Sequence, residues 1–226
     1  RSGAPAALRP VVVYVHGGAW VVGDKANQIA DKVNLFRGQD YVFVSTNYRL
    51  SPVNGGGADR IKFPYHNLDV AAALRWVHDS IATYGGDPTK IALLGHSAGA
   101  HLVALTGTNP TFLAGEGLSP RDIAGVASVD TEGYDVVAKV EAGSEVYINA
   151  FGLDPEDHER ASPLYALTEG QLTPNFFIAK RGSTRRLALA DDFATALTGA
   201  GAAVQLVDGS IYTHAGINAA IGEAGE

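Results

Sequence analysis

One serine in this chain stands where it could act as a nucleophile. Gly95-His96-Ser97-Ala98-Gly99 follows the apolar run Ile91–Leu94 and opens onto the helix-forming stretch Ala100–Thr106. Glycines two residues before and after the serine let a tight strand-to-helix turn pack closely and lift the hydroxyl clear of a sheet. The five-letter pattern alone arises often by chance, but a strand before it and a helix after it are what the motif requires. A second group, His16-Gly17-Gly18-Ala19-Trp20, ends the run Val11–Val15. Acyl transfer to a serine develops an oxyanion, which needs backbone N–H donors aimed at it. Gly17 and Gly18 can offer uncrowded amides, and Ala98 supplies a third. Taken alone, "HGG" is a glycine turn closing a strand. Its place at a strand end upstream of the serine turn favours the chemical reading.

A serine nucleophile needs a general base. Of the seven histidines, only His101, His158 and His214 follow Ser97, the chain order this type of site uses. His101 lies one turn along the helix that the serine opens and is expected to pack there. His158 sits in the charged "DPEDHER" segment and reads as surface. His214, in "SIYTHAGI" after the last apolar run, is the base expected here.

These residues must be held by a scaffold, and the pattern supplies one. Short apolar runs at Val11–Val15, Tyr41–Thr46, Ile91–Leu94, Ile123–Val129, Asn175–Ala179 and Ala203–Val207 read as strands, separated by helical periodicity. Runs without polar alternation suit parallel strands buried on both faces. Val70, Leu74, Val77, Ile81 and Tyr84 make one helical stripe, with Pro64 at its start and Gly85-Gly86 at its end. Ala190, Phe193, Ala194 and Leu197 make another, stopped by Gly199. The expected fold is a doubly wound, mainly parallel α/β sheet flanked by helices in one domain over residues 1–226, with ligands beyond the carboxyl ends of the strands. Two excursions interrupt the alternation: Asn54–Lys62 with its "NGGG", and residues 131–174, long enough to carry helices or a partial lid.

Composition narrows the function classes. The 226 residues are 46% hydrophobic and 18% charged, as in an ordinary globular protein. The net charge of −7 is spread without a basic stripe, which argues against nucleic acid as a partner. No apolar stretch reaches the roughly 20 residues of a membrane span. The absence of cysteine rules out disulfides, thiolate metal sites and a cysteine nucleophile. Histidine spacing gives no metal motif and no glycine loop cradles phosphate, so no metal or organic cofactor is expected. The compartment stays open between bacterial cytoplasm, periplasm and exterior. The chain opens at Arg1, as a processed or trimmed N-terminus would.

Taken together, "VYVHGGAW", "NYRLSP" at 47–52, "YGGDPTKIALLGHSAGAHL" and the late His214 resemble the α/β-hydrolase superfamily. More narrowly they resemble small bacterial carboxylesterases related to hormone-sensitive lipase and kynurenine formamidase. The resemblance covers nearly the whole chain. It implies Ser97 as nucleophile, His214 as base, and Gly17, Gly18 and Ala98 as oxyanion donors. It also gives Trp20 and Asp69 roles in site shape and packing. The chain departs from the family pattern in two ways. The antiparallel first two strands and any large cap are expected to be missing; an exposed sheet edge would favour a homodimer, and covering loops a monomer. The family's acid normally lies three residues past the glycine closing the penultimate strand, and here that residue is Arg185 in "KRGSTRR".

The acid is therefore sought elsewhere. Asp130, ending the fourth strand, ranks first, since some lipases of the superfamily place their acid at that strand end. Asp208 and Asp191 follow, with Glu132 as an outsider; an acid-free Ser–His dyad also stays open. Asp130 could instead serve as a local turn or cap carboxylate. The basic group Lys180, Arg181, Arg185 and Arg186 reads as surface, or as partners for Asp191 and Asp192, with attraction of an acidic substrate as the minor alternative. The expected activity is hydrolysis of small carboxylic esters through an acyl-enzyme. An arylformamidase and a catalytically silent hydrolase-like binding protein remain as the other readings.

Overall fold

The computed structural model describes residues 7–53 and 60–223. Most of the "NGGG" excursion, residues 54–59, lies outside the described residues, as do residues 1–6. Six strands form the sheet: β1 (Arg9–Val15), β2 (Val42–Thr46), β3 (Gly86–His96), β4 (Ile123–Val129), β5 (Asn175–Lys180) and β6 (Val204–Asp208). The helices are α1 (Ala30–Gly38), α2 (Tyr65–Ser80), α3 (Ala98–Thr108), α4 (Pro110–Gly115), α5 (Val136–Glu141), α6 (Glu145–Phe151), α7 (Pro155–Arg160), α8 (Thr184–Gly199) and α9 (His214–Ala219). The strand order is β2-β1-β3-β4-β5-β6, and every pairing among the described strands is parallel.

That order explains where a ligand can sit. The chain runs from β1 outward to β2, then returns across β1 to start β3, and builds away in the other direction. The crossover directions therefore diverge between β1 and β3, which opens a crevice at their carboxyl ends. His16-Gly17-Gly18 leaves β1 there, and Ser97 leaves β3 there.

The central runs Val11–Val15 of β1 and Leu93-Leu94 of β3 are buried on both faces, as parallel strands between helix layers must be. By contrast, β2 at one edge is half-buried and β6 at the other is largely exposed, so the expectation of two buried faces does not hold for the edge strands. Val11, Val13, Val15, Leu93, Val126 and Ile178 face the larger core, shared with Leu74 and Val77 of α2, Leu102 and Leu105 of α3, and Phe193 and Leu197 of α8. Val12, Tyr14, Leu94, Val129 and Ala179, one residue out of step, face a smaller core with Phe36 of α1 and Ile217 of α9. The alternation follows the two-residue repeat of the pleat.

The α2 stripe holds from Val70 to Ile81, all buried, but Tyr84 is exposed. After Ser80 the chain tightens into a single 3₁₀ turn, Ile81–Tyr84, which breaks the 3.6-residue phase and swings Tyr84 out against Trp76. Gly85, at φ 80°, closes that turn in a left-handed conformation suited to glycine, and Gly86 already begins β3. Residues 131–174 carry α5, α6 and α7. Their Tyr134, Val136, Tyr147, Phe151 and Ala161 join the larger core. Among the described residues no helix is long and apolar enough to cross a membrane.

Candidate active site

Ser97 occupies the tight turn that the glycine spacing anticipates. Its backbone is at φ 57° and ψ −119°, a conformation side chains other than glycine rarely adopt. The turn closes because its flanking glycines have no side chain. A Cβ on Gly95 would lie 2.2 Å from the Gly99 carbonyl oxygen, and one on Gly99 would lie 2.0 Å from that of Val15. The Ser97 amide donates to the Val129 carbonyl at 3.0 Å, tying the turn to β4.

His214 is the first residue of α9, whose N-cap Thr213 accepts from the Gly216 amide. Its Nε2 lies 2.9 Å from Ser97 Oγ and its Nδ1 lies 2.6 Å from Asp130 Oδ2. With a carboxylate at Nδ1, the neutral ring carries its proton there and leaves Nε2 to accept from the serine hydroxyl. Asp130 follows β4 directly, at a left-handed φ of 54°, with its side chain only 1% exposed. Burial works to raise its carboxyl. Hydrogen bonds from His214 and Arg186 outweigh that and hold it below the ordinary carboxylate range.

Arg181 and Arg186, expected at the surface or beside Asp191 and Asp192, instead reach Asp130, because the segment after β5 lies against the end of the neighbouring β4. Arg186 Nη2 donates to Oδ1 at 2.5 Å. Arg181 Nε sits 2.8 Å from Oδ2 but is not aligned to donate, so that contact is an ion pair without a hydrogen bond. Lys180 pairs with Asp191, and Arg185 lines a shallow groove with Glu132, Asp135 and Asp192. The other carboxylates considered for the triad lie elsewhere. Asp208 accepts from the Ser210 amide, Asp191 is held by Lys180, and Glu132 bridges Arg186 and Lys139.

His96, the variable residue before the serine, also contributes. Its ring lies 4.6 Å from that of His214, and its Nε2 is 2.9 Å from the His214 carbonyl oxygen. Burial first, then the neighbouring His214, push it down to about 4, so it is neutral and its Nε2–H donates. Polar groups also brace α9 from below. Tyr14 Oη donates to Asn218 Oδ1 at 3.0 Å, Asn218 donates to the Gln28 side chain, and the buried Lys32 Nζ donates to the Asn218 carbonyl at 2.7 Å.

A cavity of about 860 Å³ opens at Ser97 and His214, lined also by Gly17, Gly18, Val21, Val22 and Val53. None of its lining residues comes from the 131–174 excursion. Gly17 presses against the serine turn: a Cβ there would stand 3.1 Å from Ser97 Cβ. Gly18, at φ 118°, has space for no Cβ at all, since one would fall 1.9 Å from the Val22 carbonyl oxygen. Ala98 heads α3, where first-turn amides have no intrahelical partner. Trp20 is buried behind the loop, edge-on to His101, Tyr147 and Phe151 at 5.0–5.3 Å. Asp69 ties down the loop after β2 by accepting from the Arg49 amide and guanidinium at 2.6–3.0 Å.

The remaining histidines follow the backbone. His101 is fully buried with Nε2 2.8 Å from the Ala161 carbonyl oxygen. His158, expected at the surface, is buried: α7 turns it inward, and its Nε2 meets the Gly152 carbonyl oxygen at 3.1 Å. Among the described residues, His96, Asp130 and His214 form one cluster of potential metal-ligand types. His214 is already engaged by Asp130 and Ser97, His96 Nε2 donates to the His214 carbonyl, and the two arginines beside Asp130 would repel a cation.

Comparisons with known proteins bear on the family and the fold. The family model described as BD-FAE matches residues 3–119. Esterase LipQ of Mycobacterium tuberculosis is 41% identical over 102 residues, which is 45% of this chain and only 23% of LipQ. Carboxylesterase NlhH of the same species is 31% identical over 228 residues, 94% of this chain and 68% of NlhH. The apo form of Thermogutta terrifontis esterase 2 superposes with a TM-score of 0.73 at 25% identity, covering 93% of this chain and 75% of that one. That esterase has also been solved phosphorylated by paraoxon.

Proposed function

Because the chain belongs to the BD-FAE family and carries the α/β-hydrolase fold, we propose that it hydrolyses small carboxylic esters through a serine-bound acyl intermediate. The observation that carries this reading is the unbroken line from Ser97 Oγ through His214 to Asp130, at 2.9 and 2.6 Å. Ser97 Oγ attacks the ester carbonyl while His214 Nε2 takes its proton, and Asp130 stabilises the imidazolium. The amides of Gly17, Gly18 and Ala98 receive the negative charge that forms on the carbonyl oxygen. As the tetrahedral adduct collapses, His214 returns the proton to the departing alcohol. Water then attacks the acyl carbonyl while giving a proton to His214. As this second adduct collapses, the bond to Ser97 Oγ breaks, His214 returns the proton to that oxygen, and the acid leaves.

The relatives support the ester as substrate class: LipQ and NlhH are an esterase and a carboxylesterase by name. The test is stoichiometric labelling with paraoxon or a fluorophosphonate, together with turnover of p-nitrophenyl acetate. Labelling and turnover that both vanish in Ser97→Ala are the expected result. A folded wild-type protein that neither labels nor turns over ester would overturn the proposal and leave a hydrolase-like binding protein.

A further inference from the structure

We propose that Arg186, with Arg181 beside it, is a positioning residue of the ester-hydrolysing site, fixing Asp130 so that one carboxylate oxygen faces His214 in a hydrogen-bond-accepting state. This rests on the hydrolase reading above.

Asp130 presents its two oxygens to different partners. Oδ2 faces His214 Nδ1, and Oδ1 takes the Arg186 Nη2–H at 2.5 Å. Arg186 is itself pinned at both other points of its fork. Nη1 donates to Glu132 Oε2 at 2.5 Å, and Nε donates to the Arg181 carbonyl at 3.2 Å. A planar guanidinium held at three points fixes the plane of the carboxylate that accepts from it. The site needs that help. Asp130 is buried, its backbone is left-handed, and His214 is the only other aligned side-chain donor it has among the described residues. An isolated buried carboxylate would tend to take up a proton. The arginines counter this with two positive charges, while Glu132 keeps the whole group close to balanced.

The placement also has a local origin in the chain. Ser183 caps α8 and sets Arg186 in its first turn, while Arg181 follows β5, the strand paired with β4. The segment after β5 thus supplies cations that orient an acid on the neighbouring strand.

The experiment is a double-mutant cycle on p-nitrophenyl acetate hydrolysis, with circular dichroism confirming the fold of each variant. Arg186→Gln should lower kcat by about ten- to a hundredfold with KM nearly unchanged, because the guanidinium touches Asp130 and not the cavity. In Asp130→Asn, Arg186 demands the amide oxygen and so turns the NH₂ toward His214. Adding Arg186→Gln frees that amide to flip, so the double variant should match or exceed Asp130→Asn alone. Losses that multiply in the double variant, or an Arg186→Gln enzyme as active as wild type, would overturn the proposal. Should Arg186→Gln fail to fold, Glu132→Gln releases the outer end of the fork and should give a smaller fall in kcat, again absent in the Asp130→Asn background; a multiplying loss there would equally overturn the proposal. Failure of the hydrolase reading is distinguishable, since the wild-type protein would then be inactive.

Discussion

Replacing Asp130 with asparagine tests the site most severely, because the structure dictates which way the new amide must face. Arg186 Nη2 donates at 2.5 Å to the Oδ1 position, so the amide oxygen goes there. The NH₂ then occupies the Oδ2 position, 2.6 Å from His214 Nδ1. Two donors cannot share that contact, so the imidazole moves its proton to Nε2, which faces Ser97. The base can no longer accept the serine proton, and the negative charge that stabilises imidazolium is gone as well. Losing both the tautomer and the charge should lower kcat by about 10³- to 10⁴-fold, or roughly 4–5.5 kcal/mol at 1.36 kcal/mol per decade. The assay is steady-state hydrolysis of p-nitrophenyl acetate, with thermal unfolding as a control. Asp208→Asn and Asp191→Asn, which remove carboxylates engaged by Ser210 and Lys180, should stay within about threefold of wild type. An Asp130→Asn variant that keeps more than about a tenth of kcat, or a thousandfold loss in either control, would refute the assignment of the acid.

Three further outcomes follow from particular contacts. Burial pushes His66 to about 3 and His96 and His101 to about 4, from 6.5. Below pH 6.5 the unfolded chain binds protons that the folded one refuses, so stability should fall steadily from about pH 6.5 toward pH 4. Each histidine should contribute of order 1–2 kcal/mol by pH 5, a loss visible as a declining Tm. Gly99→Ala should cost about 3 kcal/mol or more, since its Cβ would collide with backbone 2.0 Å away; Gly199→Ala, which meets nothing within 4 Å, should leave Tm level or slightly raised. Asn218→Ala cuts the bonds from Tyr14 and to Gln28 and should lower stability by about 1–3 kcal/mol, measured by urea unfolding.

The central strands were legible because a parallel strand between two helix layers is apolar on both faces, as Val11–Val15 is; the largely exposed β6 shows the same apolar run without that burial. Residue runs such as Ile123–Val129 therefore announce themselves without knowledge of their neighbours. Ser97 was legible for a related reason, since its constraint is local: two glycines and a strand. Asp130 could only be ranked, because its role depends on β4 lying beside β3, a long-range fact. Arg181 and Arg186 were read as surface because a basic run beside Asp191 and Asp192 has a local explanation, and only Lys180 follows it. Their partner lies on another strand. A buried carboxylate without its counter-charges was the one available signal. His158 was misread for the same reason: "DPEDHER" is charged overall, but α7 has one inward face. Lys32, which donates to the carbonyls of Gln28 and Asn218, left no trace in the pattern.

The three chemical groups do not ride on equally firm supports. The Ser97 amide is bonded to Val129, and the Asp130 amide to Ala179, so both are fastened to central strands. The imidazole sits on a helix of six residues, braced largely by side chains such as His96, Tyr14 and Lys32. On heating, ester turnover should therefore fade some degrees before the sheet melts, as this short helix swings His214 loose while Ser97 and Asp130 stay in place. Efforts to lengthen the working life of the protein at high temperature would do best to begin at the seam between that helix and the one that carries Lys32.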